Sequence, residues 1–170
     1  LALMLPNYMQ ISGIAQAVGA RVRPFALRES DRWAIDLDRL RALVSSNTKM
    51  IAVCNPNNPT GSVLTPSEME SIVEIAARHD VWLLADEVYS GAELEGDSTP
   101  SFWNFRDRHS KIIVANGLSK AYALPGLRIG WVVAPDEIAK HLWSYRDYTT
   151  IAPGALSDLI AQLALDQPRR

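Results

Sequence analysis

KMIAVCNPNNPTGSVLTPSEMESIVEIAARHDVWLLADEVY, residues 49–89, changes its hydrophobic period twice within one stretch of chain. Lys49 to Cys54 is a short apolar strand, and the Asn, Pro and Gly residues from Asn55 to Gly61 form a rigid turn after it. Thr65, Pro66 and Glu68 then mark a helix start: an N-cap hydroxyl, a proline at the first helical position, and an acid near the positive end of the helix dipole. The pattern predicts a helix to about His79, followed by a buried strand over Val81 to Ala85. Two short apolar strands joined by a crossover helix imply parallel pairing.

The same alternation extends in both directions. Upstream, Leu1 to Leu5 reads as a strand entered midway. The segment Leu5 to Gly19 opens with a proline turn and repeats Ile11, Ile14, Ala15 and Val18 at helical spacing, with Gly19 suited to the C-cap. Arg21 to Leu27 is a strand. Asp36 to Val44 is a helix with Leu37, Leu40, Leu43 and Val44 on one face. Downstream, strands are expected over Lys111 to Ala115 and Arg128 to Ala134, and a helix over Asp136 to Tyr148. A last amphipathic helix carries Leu156, Leu159, Ile160 and Leu163 and stops at Gln167-Pro168-Arg169-Arg170. Glu93 to His109 is the one long irregular connection. The fold class is α/β, a mostly parallel sheet with crossover helices.

Composition narrows the function. The chain has 170 residues, 48% of them hydrophobic, enough for one domain with a core. Its net charge of −2, with acids and bases interspersed, argues against nucleic acid and anionic membrane as partners and favours small molecules. Cys54 has no second cysteine to pair with, and no apolar run reaches the roughly 20 residues of a membrane span, so a cytoplasmic location is expected. The first residues carry no initiator Met and no secretory signal pattern, which suggests a piece of a longer protein.

Ionisable groups cluster where α/β proteins place ligands, at the carboxyl ends of strands. Asn58 lies in the turn after one strand, and Asp86-Glu87-Val88-Tyr89 follows the next. Lys120 sits among Ser119, Ala121, Leu124, Pro125 and Gly126, an apolar setting that predicts a partly desolvated amine. Burial disfavours the ammonium and frees a nucleophile suited to a Schiff base with a carbonyl. Several chemistries are excluded. The chain has neither G-x-G-x-x-G nor the phosphate loop of NTPases, and Ser119 lacks the G-x-S-x-G context of a hydrolase. His79, His109 and His141 have no metal-ligand spacing and read as surface or helix-end residues.

Taken in order, Asn58-Pro59-Thr60-Gly61, Asp86-Glu87-Val88-Tyr89, and Ser119-Lys120 with Arg128 downstream resemble the class I/II aminotransferases, fold type I enzymes that use pyridoxal phosphate. Pro6-Asn7-Tyr8 is similar to that family's turn before the cofactor ring. The resemblance implies that Lys120 forms the Schiff base and moves the proton, and that Asp86 pairs with the pyridine nitrogen. It further implies that Asn58 and Tyr89 bond the phenolic oxygen, that Tyr8 stacks on the ring, and that Arg128 holds the phosphate. The family commonly has a hydroxyl three positions before the lysine, where this chain has Gly117. Ser119 stays as a phosphate candidate beside Arg128 and backbone amides.

The resemblance also implies amino-acid and 2-oxo-acid substrates and a homodimer. It places residues 1–170 within the large cofactor-binding domain, without the family's N-terminal segment or small C-terminal domain. Elimination or cyclisation on the same lysine, a cofactor-binding regulatory module, and a piece inactive by itself are the alternatives.

Overall fold

The computed structural model describes residues 1–94, 96 and 98–166. Among these residues seven strands form one sheet: β1 (Ala2–Leu5), β2 (Arg23–Arg28), β3 (Ala34–Ile35), β4 (Met50–Cys54), β5 (Trp82–Asp86), β6 (Ile112–Gly117) and β7 (Gly130–Val133). Their order is β3-β2-β1-β4-β5-β6-β7. The five central strands pair in parallel, and the two edge strands, β3 and β7, run antiparallel to their neighbours. The expected mostly parallel sheet is present, with its edges reversed.

Among the described residues, α1 (Met9–Ala17), α2 (Leu37–Leu43) and α3 (Pro66–Arg78) lie between strands, and α4 (Asp136–Ser144) and α5 (Ala155–Leu165) follow β7. The predicted start of α3 is realised as a reciprocal capping box. The Glu68 N–H donates to Thr65 Oγ1, and the Thr65 N–H donates to Glu68 Oε2 at 2.7 Å. Gly19 follows α1 with φ of +76°, the left-handed conformation a helix stop requires.

Register explains which sheet face is core and which is free for chemistry. Ile51, Leu83 and Ile112 lie side by side across β4, β5 and β6, as do Val53, Ala85 and Val114, and all six are buried. Met69, Ile72, Val73 and Ala76 of α3 join them in one hydrophobic core with Phe102. Because side chains alternate along a strand, the neighbouring row Cys54, Asp86 and Ala115 points to the opposite face.

Several boundaries move. β1 begins at Ala2, α1 at Met9 and β2 at Arg23, and β6 runs on to Gly117. The strand expected from Arg128 starts at Gly130, because Pro125–Leu127 is a 3-10 turn that ends in left-handed Arg128. The helix expected to Tyr148 ends at Ser144, with a separate 3-10 turn over Arg146–Tyr148. The irregular stretch after Glu93 contains a 3-10 turn, Phe102–Phe105, which buries Phe102. His109, read as a surface or helix-end residue, is buried at the end of the turn after Phe105, its N–H donating to the Phe105 carbonyl and its Nε2 2.8 Å from the Val81 carbonyl. The stop at Gln167-Pro168-Arg169-Arg170 lies outside the described residues. On α5 only Ala161 is buried, and the predicted apolar stripe is largely exposed.

Candidate active site

A cavity of about 980 Å³ opens at the carboxyl ends of β4, β5 and β6. Tyr8, Asn58, Asp86, Tyr89, Ser119, Lys120 and Arg128 all line it, so side chains up to 120 positions apart meet in one space. Its floor is the sheet row Cys54, Asp86 and Ala115, with Leu84 two residues back along β5. Sequence reasoning left out Cys54, Asn116 and the first turn of α1. The strand-end rule that singled out Asp86 would also have found Cys54 and Asn116, since β4 and β6 flank β5.

Electrostatics divides the cavity. Asp86 is half-buried, and burial pushes its carboxyl above the usual carboxylate range, while the Val88 N–H donating to Oδ1 at 3.2 Å pulls it back. A carboxylate so placed gains from a cationic partner. Burial, and then the charge of Asp86, push the Cys54 thiol up to about 12, so it stays protonated; Sγ donates to the Pro56 carbonyl at 3.3 Å. Glu87 points away from the cavity. It is buried, and it accepts the Phe102 N–H at 2.7 Å, tying the end of β5 to the 3-10 turn.

The charged lining residues are Asp86, Lys120 and Arg128, which leaves one excess positive charge for an anionic ligand. Lys120 Nζ lies 5.5 Å from the centre of the Tyr89 ring, a cation–π distance. Arg128 Nη1 donates to the Pro125 carbonyl at 2.8 Å and reaches Ser119 Oγ at 3.5 Å, placing guanidinium and hydroxyl together. Tyr89 lies in a turn after β5, and the Ser90 N–H donating to the Glu87 carbonyl closes that turn.

Lys120 departs from expectation in one respect. Its apolar neighbours predict partial desolvation, but the side chain is exposed. Lys120 follows the end of β6 and lines the cavity, and its neighbours in sequence do not enclose it.

Gly117, where a hydroxyl residue was expected, has a steric reason. It pairs with Gly130 across β6 and β7, and a Cβ on Gly117 would stand 3.0 Å from the Ile129 carbonyl oxygen and 3.2 Å from Gly130 Cα. A Cβ on Gly130 would come within 2.9 Å of the Asn116 oxygen. Gly130→Ala therefore forces the two strands apart beneath the lysine turn, with an expected cost of about 1–3 kcal/mol in denaturant unfolding. Gly126→Ala, whose Cβ meets nothing within 4 Å, is the control and should stay within about 0.5 kcal/mol. Equal midpoints for the two variants would contradict the close-approach argument.

A family model for aminotransferase class I and II matches residues 2–170. The chain belongs to that family. It is 35% identical to capreomycidine synthase of Streptomyces vinaceus over 95% of this chain and 41% of that protein. It is 34% identical to an arginine–pyruvate transaminase of Pseudomonas aeruginosa, over 81% of this chain and 35% of the relative. Among solved structures, a PLP-dependent aminotransferase from Streptococcus suis superposes with a TM-score of 0.88 at 41% identity, covering 96% of this chain and 42% of that one. The aromatic aminotransferase of Pyrococcus horikoshii gives 0.92 at 26% identity, covering 99% and 45%. The chain thus spans less than half the length of these relatives.

Pyridoxal phosphate is the cofactor of this family. The donor set suits it: an amine, an under-compensated carboxylate for a cationic ring nitrogen, and a guanidinium beside a hydroxyl for the phosphate.

Proposed function

We propose that the complete protein is a transaminase that moves an amino group between an amino acid and a 2-oxo acid. The reading rests on Lys120, Asp86 and Arg128 sharing one cavity with Asn58, Tyr89, Ser119 and Tyr8. What bound pyridoxal phosphate supplies is an aldehyde that condenses with amines and a ring that accepts an electron pair. The protein supplies position and charge.

In this reading the Lys120 amine is the nucleophile, and Nζ then carries the proton taken from the substrate carbon. The Asp86 carboxylate holds a protonated ring nitrogen, an ion pair that also relieves its own desolvation. Asn58 and Tyr89 would donate to the phenolic oxygen. Arg128 and Ser119 take the phosphate, the guanidinium fork matching its oxygens. Tyr8 would pack against the ring face. Residues 1–170 are the central part of the large, cofactor-binding domain, and the complete protein is a homodimer in the cytoplasm. Among the described residues, no helix is long and apolar enough to cross a membrane.

Reduction with borohydride in the presence of pyridoxal phosphate should mark the peptide carrying Lys120, and amino donors should yield 2-oxo acids. Label on another lysine, or none, would remove the assignment. The likeness to a protein named as a synthase favours a second reading, in which the same lysine serves cyclisation or elimination. Pyruvate and ammonia, or a cyclic product, without amino-group transfer would select it.

A further inference from the structure

The backbone N–H of Tyr8 donates to Oδ1 of its neighbour Asn7 at 2.7 Å, but its side chain is poorly held. Its side chain is 59% exposed, it caps α1 without a side-chain hydrogen bond, and α1 buries no residue. Strand pairing ends at Leu5, so the turn between β1 and α1 has to be fixed by something else.

Asn57 provides the anchor. The residue is 4% exposed, and its backbone is locked into the turn after β4: its N–H donates to the Ser62 carbonyl, and its carbonyl accepts the Gly61 N–H, both at 2.9 Å. Its Oδ1 accepts the Thr60 hydroxyl at 2.7 Å and the Thr60 N–H at 3.3 Å. The remaining group, Nδ2, donates at 3.1 Å to the carbonyl of Pro6, 51 positions away in sequence and two before Tyr8. Turn chemistry accounts for the contacts with Thr60, Gly61 and Ser62, but not for the bond to Pro6. A buried amide with every polar atom engaged is rigid. Asn57 does not line the cavity, yet Asn58 beside it and Tyr8 across from it both do.

We propose that Asn57 is a positioning residue that latches the Tyr8 turn to the Asn58 turn and so sets the spacing of two cavity walls. The proposal rests on the cofactor reading above. Asn57→Asp keeps the acceptor for Thr60 but replaces the donor with a carboxylate oxygen facing the Pro6 carbonyl. Equilibrium binding of pyridoxal phosphate to the complete protein, followed by absorbance, should weaken about tenfold. If Asn57 acts through Tyr8, a cycle of Asn57→Asp, Tyr8→Ala and the double variant is non-additive. The double variant should then bind within about twofold of the weaker single one.

Losses that multiply in the double variant, or an Asn57→Asp affinity equal to that of the unsubstituted protein, would overturn the latch. If Asn57→Asp does not fold, Asn57→Ala enters the same cycle under the same criteria. The borohydride adduct on Lys120 in the unsubstituted protein separates the two readings. With the adduct present, an additive cycle rejects the latch alone; without the adduct, the cofactor reading and the latch fall together.

Discussion

Lys120→Ala in the complete protein is expected to lower turnover at least about ten-thousand-fold, because a positioned proton-transfer group alone is worth about that much and the nucleophile is lost with it. The loss should leave folding untouched. Lys120 is exposed, and backbone bonds hold its turn: Ala123 N–H to the Lys120 carbonyl at 2.9 Å, Leu124 N–H to Leu118 at 3.0 Å, and Leu118 N–H to Ile129 at 3.1 Å. An exposed truncation of this kind shifts stability by about 0.5 kcal/mol or less. Turnover and unfolding midpoint measured on the same preparation check both halves. Activity within tenfold of the unsubstituted protein would end the assignment of Lys120.

Asp86→Asn should separate stability from function. The amide keeps an oxygen for the Val88 N–H but cannot offer a negative charge to a ring nitrogen, so turnover should fall about 100- to 1,000-fold, the scale for losing one preorganised electrostatic contact. Stability without cofactor should move the other way. Burial raises the Asp86 carboxyl in the folded chain, so the folded state binds that proton more tightly than the unfolded state does. Its contribution is therefore fully present below the unfolded carboxylate pKa, is lost as pH rises through the folded one, and stays lost at neutral pH. Asp86→Asn removes this loss. The variant should melt higher than the unsubstituted protein at pH 7 without cofactor, and the gap should close as pH is lowered into the carboxylate range. A lower midpoint at pH 7 would show that the charge stabilises the fold.

Much of the architecture was legible because local rules agreed. Thr65, Pro66 and Glu68 announced α3 and capped it, and the apolar runs at Lys49 to Cys54 and Val81 to Ala85 became adjacent parallel strands. Where local rules conflicted, the reading slipped. Arg128 follows a proline turn, and its left-handed backbone, φ of +56°, cannot continue a strand. β3 has two residues and no period of its own, and it exists through pairing with β2.

The sequence by itself determined the alternation of strands and helices, and it picked out the residue types that now face one another. Both follow from periodicity and from the chemistry of single side chains. Tertiary structure alone decided the exposure of Lys120, the reversal of the two edge strands, the Gly117–Gly130 contact and the Asn57–Pro6 bond. Each depends on groups distant in sequence that only strand register brings together. Burial, unlike propensity, is a property of neighbours in space.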